Sequence, residues 1–211
     1  MNTNPNAKRI LCYGDSNTWG AIPLEQGKYP AHVRWTGVLQ NLLGEDYEVI
    51  EEGLRSRTTN IDDPKRIDRN GKTYFHPCLE THTPLDLCII WLGTNDLKQR
   101  FKRTAEDVAK AAQELIQMAK EETEGTTKIL LVCPPVIYDT ETTKEYDFVD
   151  PYSTSLALGA QYNKIAEEEK VHFINLAKEG VTPDETEGVH LTKEMHQKIG
   201  ELFAKKVIEI I

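Results

Sequence analysis

Short, almost unbroken apolar runs constrain this chain most. Ile10-Leu-Cys-Tyr13 is stopped by Gly14, Asp86-Leu-Cys-Ile-Ile-Trp-Leu92 by Gly93, and Lys128-Ile-Leu-Leu-Val-Cys133 by Pro134-Pro135. Runs of this length without polar alternation read as strands covered on both faces. Tyr47 to Ile50 and Val171 to Leu176 supply two further strands. Between them lie helical patterns: Val33–Leu43 ending at Gly44, Thr104 to about Glu122 with Thr104 as N-cap, Ser153 to about Glu169, and Thr192 to about Ile210. Alternating strands and helices with apolar strands predict a parallel sheet between two helical layers. The expected fold class is α/β, a three-layer, doubly wound, flavodoxin-like sandwich with a five-stranded parallel sheet. Ligands of such folds bind at the carboxyl ends of the strands. Residues 60–82 and 136–151 lack a clear period and read as long loops that shape the mouth of a site or make subunit contacts.

The chain has 211 residues, which suits one domain: residues 1–7 read as a flexible tail and 8–211 as the domain. Lys plus Arg number 25 against 34 Asp plus Glu, for a net charge of −9. That balance argues against a broad basic face, so neither nucleic acid nor an anionic membrane is expected as a partner. No apolar run approaches the ~20 residues of a membrane helix, and the polar start, Met1 to Lys8, does not resemble a signal peptide. A cytoplasmic location is expected. Cys12, Cys88 and Cys133 sit inside apolar runs and, with Cys78, read as buried free thiols. Their spacings match no zinc site, and neither does the local group His76, Cys78 and His82.

The chemistry-bearing residues follow the strands in order. Gly14-Asp15-Ser16-Asn17 follows the first, Gly53-Leu-Arg-Ser56-Arg-Thr-Thr59 the second, and Gly93-Thr94-Asn95-Asp96 the third. Glu187-Gly-Val-His190 lies in the loop after the fifth. A serine, an amide, a carboxylate and a histidine on one rim are the parts needed for acyl transfer. Serine needs a base, histidine accepts and returns the proton, the carboxylate orients the imidazole, and amide groups bind the oxyanion. Singly, each residue fits a turn or a cap equally well; the argument rests on their conjunction.

These blocks resemble the SGNH hydrolases, or GDSL esterases. Gly14-Asp15-Ser16 matches the family's first block and Gly93-Thr94-Asn95-Asp96 its third. Glu187-Gly-Val-His190 matches the fourth with Glu in place of Asp. Within the family the chain looks most similar to the arylesterase/acyltransferase branch, through VRWTGVL (33–39), EEGLRSRTTNIDDP (51–64) and LDLCIIWLGTNDLK (85–98). The resemblance implies a hydrolase of short-chain esters that can pass the acyl group to alcohols, with no cofactor or metal, assembled as a homo-oligomer. It implies Ser16 as nucleophile, His190 as base and Glu187 as the orienting acid, with Asp184 as the alternative acid. It also implies an oxyanion hole of the Ser16 N–H, the Asn95 amide and a backbone donor at Ser56, or else at Gly53. Asp15, Trp19, Gly53 and Thr94 are candidates to line the pocket. Arg55 and Arg57 read as solvated or ion-paired more readily than as anion binders. A narrow mouth would favour acetyl-sized acyl groups. Two other readings stand beside this one: a carbohydrate acetylesterase, and a non-catalytic ligand-binding SGNH domain, for which the Glu187 replacement is the sole sequence support.

Overall fold

The computed structural model describes residues 2–211. Five strands, β1 (Lys8–Gly14), β2 (Tyr47–Gly53), β3 (Leu87–Trp91), β4 (Lys128–Cys133) and β5 (His172–Asn175), form one parallel sheet in the order β2-β1-β3-β4-β5. The helices are α1 (Ser16–Trp19), α2 (Trp35–Leu43), α3 (Gly71–His82), α4 (Ala105–Glu122), α5 (Glu141–Glu145), α6 (Pro151–Glu169) and α7 (Lys193–Ile210). This is the doubly wound α/β sandwich that the apolar runs predict.

Side chains alternate across the sheet and divide the core in two. Leu11, Tyr13, Cys88, Ile90, Ile129 and Leu131 pack under α3, α4 and α6. Ile10, Cys12, Leu87, Ile89, Trp91, Leu130 and Val132 pack under α2 and α7. The three central strands are buried on both faces, which is why they read as continuous apolar runs, whereas edge strand β2 is half-buried throughout and carries polar residues. All four cysteines are buried and free. No helix among the described residues is long and apolar enough to cross a membrane.

One expectation needs correction. The second half of the 60–82 stretch is not loop: Gly71–His82 is a helix, capped by the Asn70 side chain, which accepts from Lys72 N. Pro77 sits inside it, and the composition masks the apolar triplet Phe75, Cys78 and Leu79 that faces the core. Similarly, 136–151 contains the one-turn helix α5, held by a capping box between Thr140 and Thr143.

The strand order reverses direction at β1. That strand has β2 on one side and β3 on the other, so a crevice opens between the loops leaving β1 and β3.

Candidate active site

Each block reaches the crevice on a separate loop. Gly14 ends β1, Asp15 caps the short helix α1 through Asn17 N (3.0 Å), and Ser16 is its first residue. The opening N–H groups of a helix have no partner within it, which leaves the Ser16 N–H unengaged by the helix. After β3, Asn95 begins a single 3-10 turn and its Nδ2 donates to Arg57 O (3.1 Å). That bond uses one of two amide protons. The carboxylate of Asp96, fully buried, accepts from Thr59 N (2.9 Å) and Thr59 Oγ1 (3.0 Å) and pairs with Arg103 (2.8 Å). The loops after β2 and β3 are thereby tied together.

The fourth block folds back onto the first. Asn17 Nδ2 donates to Val189 O (3.3 Å), and Gly188, at φ +92°, turns the chain so that His190 faces α1. His190 Nε2 lies 2.9 Å from Ser16 Oγ, and Nδ1 lies 2.5 Å from Glu187 Oε1. The other oxygen of Glu187 accepts from Val189 N (2.8 Å) and His190 N (2.6 Å). Glu187 is fully buried. Burial alone would raise its pKa, but the bonds and charge of His190 and the two backbone donors hold it below the ordinary glutamate range. The carboxylate is ionised beside the ring. Asp184 does something else: Oδ1 accepts from Thr186 N (3.0 Å) and Glu187 N (2.9 Å), bracing the loop, and the structure gives it no bond to the His190 ring.

A cavity of about 570 Å³ surrounds this pair, with Ser16, Ser56, Asn95 and His190 all in its wall. Ser56 adopts φ +64°, the left-handed region that favours glycine, and its N–H meets no protein acceptor among the described residues. Of the four pocket candidates, Asp15, Trp19, Gly53 and Thr94, none lines this cavity. Asp15 is buried beneath α1, where burial lifts its pKa to about 6 despite the Asn17 N–H. Thr94 is buried behind Asn95. Gly53 packs against the backbone of α1, where an added Cβ would stand 2.2 Å from Trp19 N. Trp19 lies under Lys28 and Arg55, each 5.3 Å from its ring. Arg57 is a buried structural residue: it donates to Gly14 O (2.9 Å) and Glu52 O and stacks over Tyr13 at 4.2 Å.

Several wall residues had no signal in the sequence pattern. Leu24, Glu25 and Gln26 come from the segment after α1, Lys65 and Arg66 from the loop before α3, and Thr142, Glu145 and Tyr146 from around α5. Lys98 and Arg100 follow the Asn95 block. Arg100 joins two walls, pairing with Asp63 through two bonds (2.8 and 3.2 Å) and with Asp147 (2.6 Å). A second depression, about 590 Å³, lies on the far side of Gly53 and contains no residue of the Ser16–His190 pair. Next to it Glu52, Cys78 and His82 converge, with His82 Nε2 3.0 Å from Glu52. Burial pushes the Cys78 thiol up to about 12, so it is protonated at neutral pH. His76 faces outward toward Glu122 (3.4 Å) instead.

Residues 12–198 match the profile of the GDSL-like lipase/acylhydrolase family. The chain belongs to this family. A carbohydrate acetylesterase from Sinorhizobium meliloti is similar over 97% of this chain and 100% of its own, at 36% identity and a TM-score of 0.90. The aryl esterase of M. smegmatis shares 39% identity over 97% and 100%, with a TM-score of 0.89. A lipase/acylhydrolase from Enterococcus faecalis, at 18% identity and a TM-score of 0.68 over 95% of each chain, shares the fold. Among curated protein sequences, none matches the chain. This GDSL-like protein is a carboxylic ester hydrolase of the SGNH type, which removes the non-catalytic reading.

Proposed function

We propose that this hydrolase cleaves short-chain aryl and alkyl esters through an acyl-enzyme on Ser16, and that alcohols as well as water accept the acyl group. The observation that carries this reading is the continuous chain Glu187–His190–Ser16, with bonds of 2.5 and 2.9 Å. His190 Nε2 takes the Ser16 proton as Oγ attacks the ester carbonyl. The Ser16 and Ser56 N–H groups and the free Asn95 amide proton bind the oxyanion. The intermediate collapses, His190 returns the proton to the leaving alcohol, and the acyl group stays on Oγ. Water or a second alcohol then attacks the acyl-enzyme, giving up its proton to His190, and Ser16 is regenerated. Glu187 holds the imidazole in the tautomer this requires and stabilises the imidazolium.

A carbohydrate acetylesterase is the second reading, supported by the 36% identical S. meliloti acetylesterase. It is the better description if acetylated sugars outperform aryl acetates at equal concentration. The homo-oligomeric, cytoplasmic, single-domain character expected from the sequence belongs to the same proposal; the four free buried thiols fit it. The decisive experiment is fluorophosphonate labelling with peptide mass spectrometry, run beside 4-nitrophenyl acetate turnover. An adduct on Ser16 is expected, with turnover reduced at least ~10³-fold in Ser16→Ala. An adduct elsewhere, or turnover that survives Ser16→Ala, overturns the assignment.

A further inference from the structure

The cavity around Ser16 is charged in the opposite sense to the chain. Arg55, Lys65, Arg66 and Lys98 line it, and none of them enters an ion pair among the described residues. A fifth cation, Arg100, is paired with both Asp63 and Asp147, a trio that carries one net negative charge. Against the four stand that surplus charge and Glu25 and Glu145, both exposed at the rim. A net charge of −9 overall makes this concentration of unpaired cations in the one functional crevice the more informative.

Lys98 is the decisive member. It is 9% exposed, only three residues beyond Asn95, and its Nζ lies 5.8 Å from the Phe148 ring centroid with no hydrogen bond to a protein acceptor. Drawing an ammonium away from most of its surrounding water is costly unless an opposite charge compensates. The acids near enough to act on it, Asp63 and Asp15, do not bond to it: Asp63 pairs with Arg100, and Asp15 accepts from Asn17 N through one oxygen. Arg66 is close enough for its charge to act on Lys98, and its guanidinium is fixed by donation to Ser56 Oγ (2.9 Å). Two cations thus flank the wall that carries Asn95 and Ser56.

We propose that Lys98, with Arg66, receives a fixed negative charge on the alcohol part of the substrate, so that the enzyme acts on short-chain esters of hydroxy acids or of phosphorylated alcohols. The inference rests on the esterase reading: a short acyl group carries no charge of its own, so the anion belongs to the leaving alcohol. Burial and the Arg100 charge pull the Lys98 pKa down to about 8, which leaves it mostly protonated at pH 7 and ready to pair.

The test compares kcat/KM at pH 7 for 4-acetoxybenzoate and 4-acetoxyphenyl phosphate with that for neutral 4-acetoxybenzamide and phenyl acetate. Wild type, Lys98→Met and Lys98→Arg are measured side by side, so that intrinsic ester reactivity cancels in each charged-to-neutral ratio. In Lys98→Met the ratio is expected to fall at least tenfold; in Lys98→Arg it is largely kept, and in wild type it shrinks as salt is raised. The anion with the larger ratio identifies carboxylate or phosphate as the preferred group. An unchanged ratio in Lys98→Met, with phenyl acetate still cleaved, overturns the charge inference and leaves the esterase reading standing. Absence of phenyl acetate turnover in wild type, with Ser16 unlabelled, overturns both. Should Lys98→Met not fold, Arg66→Gln supplies the same ratio, and no change there overturns the inference.

Discussion

Two carboxylates flank the Ser16–His190 pair, and their surroundings push them in opposite directions. Glu187 is held low by His190 and two N–H donors; Asp15 is lifted to about 6 by burial. The depressed Glu187 contributes stability that is present above its unfolded value and is lost as pH falls through its folded one. For Asp15 the sign is reversed: between its unfolded value of 3.8 and about 6 the folded state binds more protons, so stability falls as pH rises. The size is on the order of 3 kcal/mol. Asp15→Asn should therefore gain stability relative to wild type from pH 4 to pH 7 in denaturant unfolding; parallel curves would sink the argument. Glu187→Gln should lower kcat by ~10³–10⁴-fold, because the amide no longer enforces the imidazole tautomer; a loss below tenfold would remove Glu187 from the proposed mechanism. At this scale the sequence was informative wherever a residue type carries its chemistry with it. Ser16, Asn95 and His190 could be picked out because each follows its own strand. Whether Glu187 or Asp184 meets the histidine could not be read, since both are carboxylates in one loop and only the turn at Gly188 decides which faces the ring.

Elements fix the site through close backbone contacts rather than through side-chain bulk. The end of β2 and helix α1 touch at Gly53, and a methyl there would fall 2.2 Å from Trp19 N. Because that neighbour is backbone, it cannot swing aside, and α1 carries Ser16. Gly53→Ala is expected to destabilise the protein by about 2 kcal/mol or more and to lower kcat, measured by thermal unfolding and turnover of the same preparation. An unchanged Tm and kcat would show that the contact is not needed. In the sequence Gly53 stood out as the alternative to Ser56 for the oxyanion donor and as a pocket candidate; in the structure its lack of a side chain lets β2 approach the backbone of α1. Helix α3 was hidden for a different reason. Pro77 removes one helical N–H and signals a break, while tertiary packing of Phe75, Cys78 and Leu79 against the sheet overrides that local preference. The apolar strands of the centre were legible because both their faces are buried; half-buried β2 was recognisable only by its position in the alternation.

The whole molecule keeps its reactive sulfur inside. Burial raises Cys12, Cys78, Cys88 and Cys133, with Cys78 and Cys133 at about 12. Aromatic disulfide reagents should find almost no thiol in the native protein and four after unfolding in guanidinium, with the Tm unaffected by reductant; rapid native labelling would contradict the packing. Least legible at this scale was the cavity wall. Leu24, Arg66, Lys98 and Tyr146 are far apart in the chain and meet only through the fold, and nothing in their local sequence marks them as neighbours. Their origin has a further consequence. The proposed nucleophile, base and oxyanion donors ride on the loops that leave the strands, whereas two walls are supplied by 61–70 and 136–151, which Arg100 clasps through Asp63 and Asp147. Much of the cavity wall is therefore encoded apart from the reacting groups and joined to them by one arginine, while Lys98 rides on the Asn95 loop itself. A lineage can reshape those walls by exchanging the two stretches, while the reacting groups, with Lys98 beside them, are inherited intact.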